Sequence, residues 1–143
     1  MSKFRRIYLE IINYCNLSCS FCPKSKRKPM AMSLENFQIA LDQLKPHTDY
    51  LYFHIKGEPF LHPNLIDFLE IASEKGFYVN LTTNGTLINK LRKPLLEGLP
   101  VRQINISLHS FEGDKEEEFK KYLMDILDFS KEITKSHTLY IAL

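Results

Sequence analysis

The chain has 143 residues, 44% of them hydrophobic and 25% charged, with a formal net charge of +2. This is the length and composition of one globular domain able to bury a core, and it excludes a disordered or collagen-like chain. Nothing suggests a membrane span, the small charge gives no footprint for nucleic acid, and no targeting segment occupies residues 1–6, so the expected compartment is the cytoplasm, where thiols stay reduced.

Residues 5–13 alternate around Ile7, Leu9 and Ile11 and predict a first strand. It delivers the chain into a stretch that holds all three cysteines, Cys15, Cys19 and Cys22, within eight residues. Thiolates spaced CxxxCxxC can converge on one soft metal centre from a single loop. Three of them cannot close a tetrahedral site or complete a four-cysteine cluster, so one position stays open. A structural zinc would need a fourth ligand brought by the fold, from His54, His62 or His109. Disulfides are disfavoured by the odd count, the crowding and the lack of a secretory signal.

Residues 23–29 are basic and helix-breaking, either a solvated loop or an electropositive mouth that attracts an anionic substrate or a reductase. Ser33 reads as an N-cap, and Leu34, Phe37, Ala40, Leu41 and Leu44 keep helical spacing until Pro46. A second strand is expected over 50–56. Gly57, Glu58 and Pro59 follow, then a helix over about 63–75 with Leu65, Phe68, Leu69 and Ala72 on one face and Gly76 as its stop. A third strand over 77–83 runs into Asn84 and Gly85. The helical stretch 87–97 contains Pro94 and should be short or broken. A fourth strand over 101–108 leads past Ser110 and Gly113 to a long helix over 114–135, with Phe119, Tyr122, Leu123, Ile126 and Leu127 as its buried stripe. Residues 138–143 predict a fifth strand.

Alternating strands and helices imply βαβ units and a parallel sheet. The strand faces decide its kind. Leu51, Phe53 and Ile55 oppose Tyr52 and His54; Val79 and Leu81 oppose Asn80, Thr82 and Asn84; Ile104, Ile106 and Leu108 oppose Asn105, Ser107 and His109; Glu10 joins the polar side. A doubly wound sheet is apolar on both faces. Burying so many polar groups without partners would cost about 1–3 kcal/mol each. The expected fold class is therefore α/β, a partial TIM-like barrel of about four and a half βα units with helices outside and a polar hollow inside. The cysteine loop, residues 57–59, 83–85 and 109–110 should cluster at the carboxyl ends of its strands.

The run from Glu10 to Cys22, with its E-I-x-N-x-C-N-L start, its CxxxCxxC spacing and an aromatic before the third cysteine, resembles the radical S-adenosylmethionine (radical SAM) enzymes. It is most similar to the subset with an E-I-T-N-x-C-N-L first-strand motif, many of which modify peptides. The resemblance implies that Cys15, Cys19 and Cys22 bind a [4Fe–4S] cluster whose fourth iron chelates the methionine part of S-adenosylmethionine. Reductive cleavage would then give a 5′-deoxyadenosyl radical that abstracts hydrogen from a substrate.

Gly57, Glu58 and Pro59 resemble the family's Gly-Gly-Glu-Pro motif, with Lys56 in place of the first glycine, and imply contacts to the cofactor's amino group. Asn84 belongs to a T-N-G segment like that of relatives, where a plain turn is the alternative. Ser107 matches polar strand ends that contact ribose or carboxylate. Phe21 is expected beside the cluster or adenine, or else in generic core. His54 and His109 would face substrate or act as acid/base groups, or be satisfied structural histidines. The implied partners are S-adenosylmethionine, an electron donor such as flavodoxin or ferredoxin, and an unknown substrate for which a peptide is a hint.

Residues 1–143 resemble the N-terminal portion of a radical SAM core whose C-terminal strands are missing, so the chain looks truncated. The last strand would offer an apolar edge for association. Two other readings stay open: a non-catalytic cluster- or cofactor-binding module that needs a partner, and a zinc-stabilised binding domain.

Overall fold

The computed structural model describes residues 3–112, 115–136 and 140–142. In chain order it places β1 (Ile7–Tyr8), α1 (Leu34–Leu44), β2 (Tyr50–Phe53), α2 (Leu65–Glu74), β3 (Tyr78–Thr83), α3 (Ile88–Leu96), β4 (Gln103–Ile106), α4 (Glu116–Ser136) and β5 (Tyr140–Ala142). All neighbouring strands pair in parallel and lie in sequence order, β1-β2-β3-β4-β5. Each crossover therefore moves one place in the same direction. A doubly wound sheet would reverse direction at a switch point, whereas a barrel does not. The architecture is the expected α/β, part-barrel one.

The local signals that start and stop these elements are chemical. Ser33 caps α1 by accepting a hydrogen bond from the Asn36 amide (3.2 Å), and Gly76 ends α2 in the left-handed region (φ +76°). One face of the sheet carries Leu51, Phe53, Val79, Leu81, Ile104 and Ile106, all buried. Against it pack Phe37 and Leu41 of α1, Phe68, Leu69 and Ala72 of α2, Leu91 and Leu95 of α3, and Ile126, Phe129 and Ile133 of α4. The Phe37 ring stacks on Phe68 with centroids 3.9 Å apart. The opposite face is polar and aromatic. Tyr8 pairs with Tyr52 and Tyr50 with Tyr78, each at 5.3 Å, and Gln103 donates to Asn105 (2.7 Å). The expected hollow is not uniformly open, since Asn80 on this face is 1% exposed and its Nδ2 has no partner among the described residues.

Several expectations need correction. The first strand covers two residues rather than nine, because the chain leaves the sheet after the Leu9 amide donates to Tyr52 O (2.9 Å). It then pairs with the returning limb of the cysteine loop through Met32 N to Ile11 O (2.8 Å) and Asn13 N to Met30 O (3.1 Å). Strand β2 stops at Phe53, and Ile55 adopts φ +118° and is 56% exposed, so it does not extend the apolar face. Helix α3 is short, as expected, at nine residues, but Pro94 does not break it. The proline lies near its end and removes one backbone hydrogen bond, while Leu91 and Leu95 keep the face docked. The buried stripe of α4 is Tyr122, Ile126, Phe129 and Ile133; Phe119 and Leu127 are exposed. The expected start of that helix at Asp114, the loop glycine Gly113, and Thr138, Leu139 and Leu143 of the last strand lie outside the described residues.

His62, one histidine considered as a zinc ligand, is a core residue. Its Nδ1 accepts from the Asn64 amide (3.1 Å), which leaves Nε2 to donate to Met32 O (3.0 Å). Burial holds the imidazole below its ordinary 6.5, so the unfolded chain takes up a proton first as pH falls. The resulting stability is present above about pH 6.5 and is lost as pH drops through the folded value. Urea unfolding at pH 7.5 and 5.5 is expected to show a smaller loss for His62→Gln than for the wild-type chain.

Candidate metal and cofactor site

The cysteine loop is closed at its base by Asn13. Its Oδ1 accepts from the Met30 amide (2.7 Å) and its Nδ2 donates to Lys28 O (2.9 Å). Glu10 is held there too, paired with Arg27 through Arg27 Nη1 (2.6 Å). The loop after β2 docks on this base. Gly57, at φ +77°, approaches so closely that a Cβ would lie 2.3 Å from Ile12 O and 2.9 Å from Tyr14 O, and the Glu58 amide donates to Tyr14 O (2.9 Å). Lys56, which departs from the glycine-glycine pattern, has no positive φ and donates through Nζ to Pro23 O. Its neighbour Ile55 carries the strain instead, a β-branched residue in a region that favours glycine.

Glu58 is 1% exposed and joins two strand ends. Its Oε1 accepts from Phe60 N (3.0 Å) and Thr83 Oγ1 (2.7 Å), and its Oε2 accepts from Asn84 N (2.8 Å). Burial pushes its carboxyl above the ordinary value, and these three donors oppose that shift. Glu58→Ala would leave all three buried donors without an acceptor. It is expected to cost roughly 2–3 kcal/mol in urea denaturation.

The ends of β3 and β4 complete the surround. Asn84 Nδ2 lies 3.5 Å from Cys15 Sγ and 3.0 Å from Asn16 Oδ1, while Asn16 Nδ2 donates to Thr86 Oγ1 (2.9 Å). Beyond β4, Cys19 Sγ faces Ser110 O (3.5 Å), and Glu112 accepts from both the amide (2.9 Å) and the hydroxyl (2.7 Å) of Ser20. Those hydrogen bonds hold the Glu112 carboxyl below its ordinary range, and burial pushes the Cys19 thiol up. Phe21 packs on the His109 ring at 4.9 Å.

Between these parts lies a cavity of about 370 Å³ at the carboxyl ends of the strands. Cys15, Cys19, Cys22, Phe21, Gly57, Glu58, Asn84, Ser107, His54 and His109 all line it. Of the residues singled out from sequence for cluster, cofactor or substrate, Pro59 is outside the lining, and so is His62, the core histidine weighed as a zinc ligand. Pro59 is buried at the start of a 3₁₀ turn, Pro59–Leu61, whose N-cap is Glu58. Thr83 and Ser110, from the segments expected to cluster at the strand ends, line the cavity, whereas the parts of Asn16, Thr86 and Glu112 in holding the site together were not foreseen. Thr86 follows the T-N-G segment and Asn16 sits inside the cysteine motif, so those two had a signal; Glu112 had none. Among the described residues no three His, Cys, Asp or Glu side chains converge closely enough for a single metal ion.

A sequence model of the Radical SAM superfamily matches residues 9–137. The chain belongs to the radical SAM superfamily. The cofactors of that superfamily are a [4Fe–4S] cluster and S-adenosylmethionine. Over 96 residues the chain is 34% identical to the tungsten-containing aldehyde ferredoxin oxidoreductase cofactor-modifying protein of Pyrococcus furiosus, covering 64% of this chain and 27% of that one. It is 28% identical over 109 residues to the PqqA peptide cyclase of Ruegeria pomeroyi, covering 73% of this chain and 29% of that one. Among solved structures, BtrN in complex with AdoMet and 2-DOIA superposes with a TM-score of 0.71 at 23% identity, covering 99% of this chain and 58% of BtrN. The chain thus spans under a third of these curated relatives and somewhat over half of BtrN. Among the described residues no helix is long and apolar enough to cross a membrane.

Proposed function

We propose that residues 1–143 form the N-terminal portion of a radical SAM core in which Cys15, Cys19 and Cys22 ligate a [4Fe–4S] cluster. The observation that carries this reading is the shared cavity, which gathers the three thiols with the loops that follow β2, β3 and β4. The donor set fits the group. Soft thiols that surround a cavity without converging on one point suit a cluster in which each thiolate takes its own iron, better than a single zinc ion. When bound, the cluster supplies the electron that cleaves S-adenosylmethionine to methionine and a 5′-deoxyadenosyl radical.

The chain's own residues serve that chemistry by binding and enclosure. Gly57 and Glu58 line the cavity after β2 and would hold the cofactor's amino group, while Pro59 backs them from its buried 3₁₀ turn. Ser107 and Asn84 present polar groups from the next two strand ends. Phe21 shields one side, and His54 and His109 are placed to meet a substrate or carry a proton. Flavodoxin or ferredoxin is the electron donor in this reading, and a peptide is the substrate class suggested by the likeness to PqqA peptide cyclase. A reducing compartment such as the cytoplasm keeps three exposed or half-exposed thiols free for iron.

The test is low-temperature electron paramagnetic resonance on anaerobically reconstituted, dithionite-reduced protein, with and without S-adenosylmethionine, followed by an assay for 5′-deoxyadenosine. A reduced [4Fe–4S] signal that changes with the cofactor is expected. A cluster indifferent to S-adenosylmethionine would favour a non-catalytic module, and stoichiometric zinc without iron would overturn the reading.

A further inference from the structure

Cys15 differs from the other two thiols in what surrounds its sulfur. Two donors point at it, the Leu17 amide at 3.4 Å and Asn84 Nδ2 at 3.5 Å, and its thiol has one acceptor nearby, Asn16 Oδ1 at 3.8 Å. Cys19 and Cys22 instead lie beside carbonyl oxygens, those of Ser110 at 3.5 Å and Pro23 at 4.0 Å. Those contacts require an S–H, so a thiolate forfeits them, whereas the two N–H contacts to Cys15, which the other thiols lack, strengthen when its sulfur becomes anionic.

The Asn84 amide has a fixed sense. Its Oδ1 accepts from the Thr86 amide (2.9 Å) and the Thr86 hydroxyl (2.7 Å). A backbone N–H can only donate, so the oxygen must face Thr86 and the NH₂ must face Cys15. The residue is anchored on both sides, its own amide donating to Glu58 Oε2 (2.8 Å) and its carbonyl accepting from the Tyr122 hydroxyl (2.7 Å). Burial, with the nearby Glu58 and Cys19 charges, pushes the Tyr122 phenol up to about 12, so it remains a donor.

We propose that Asn84 is a positioning residue for Cys15: its side-chain N–H, aimed by Thr86, donates to the sulfur and raises the reduction potential of a cluster held there. This rests on the reading of Cys15 as a cluster ligand. A hydrogen bond to a ligating thiolate withdraws charge and stabilises the more negative, reduced cluster. It is a different task from the direct cofactor contact that the T-N-G resemblance implies, and the two are separable by measurement.

The experiment compares reconstituted wild type, Asn84→Ala and Thr86→Val by iron and sulfide content and by redox titration of the paramagnetic signal. With four irons bound in each, Asn84→Ala is expected to lower the reduced-to-oxidised ratio at a fixed potential about tenfold, equivalent to about 59 mV for one electron. Thr86→Val, which keeps the backbone donor and loses the hydroxyl, should shift in the same direction by less. Equal midpoints in all three overturn the inference while leaving the ligand reading intact. A wild type that takes up no iron refutes the ligand reading and the inference together. Should Asn84→Ala fail to load, Thr86→Val decides, an unchanged midpoint counting against and a lowered one in favour.

Discussion

Alanine at Cys15, Cys19 or Cys22 is expected to abolish iron and sulfide uptake and the reduced-cluster signal, while leaving the apoprotein's unfolding free energy within about 0.5 kcal/mol of wild type. The split between the two readouts follows from position. Cys15 and Cys22 are exposed and Cys19 is half-buried, and none belongs to the apolar cluster that holds sheet and helices together. The chain contains no other cysteine that could replace a lost ligand. Iron counts, sulfide counts and spectroscopy on each single variant, beside urea curves of the metal-free proteins, check the expectation. A variant that keeps its full cluster would remove that cysteine from the ligand set. A variant that loses stability as well would show that its thiol braces the loop.

Gly57→Ala is expected to destabilise the apoprotein by about 2–5 kcal/mol, from a conformational term of about 1–2 and an overpacking term of about 1–3 that includes a lost hydrogen bond. An L-residue in the left-handed region costs about 1–2 kcal/mol. The larger part comes from contact, since the new methyl would sit 2.3 Å from the Ile12 carbonyl oxygen and 2.8 Å from its carbon. Backbone cannot rotate away as a side chain can. The loop after β2 must lift off the base of the cysteine loop and forfeit the hydrogen bond from the Glu58 amide to Tyr14 O, worth about 1 kcal/mol. Gly98→Ala is the control. It shares a positive φ of +97° but has nothing within 4 Å, so it should cost only the conformational term of about 1 kcal/mol. Chemical denaturation of both variants compares them directly, and equal losses would mean that the close approach at Gly57 carries no energy.

The alternation of helices and strands was legible because apolar spacing repeats over many residues, and Ser33 and Gly76 act through contacts within a few residues of themselves. Segment ends were less legible. The chain departs from the first strand to meet residues 30–32, and a hydrogen bond to a segment about twenty residues away leaves no local trace. In α4 the expected stripe began at Phe119, yet the buried face runs through Phe129 and Ile133. Both stripes have helical spacing, and docking against α3 selects between them. The cavity was legible at its motif residues and silent at Glu112, an acidic side chain whose partner Ser20 lies 92 positions earlier. Ile55 was misplaced because alternation assumes an extended backbone, and a φ of +118° breaks that assumption.

The fastening of the cysteine loop by distant residues sets an order on biogenesis. Cys15 leaves the ribosome early, but Asn84 is 69 positions behind it, and Ser110 follows Cys19 by 91. At about 5–20 residues per second, roughly 3 to 18 s of translation separates the thiols from the groups that shape their surroundings. Throughout that interval the nascent chain offers three unshielded sulfurs to oxidant and to adventitious metal. If the three thiols hold the cluster proposed above, iron and sulfide reach a finished pocket only after β4 has emerged.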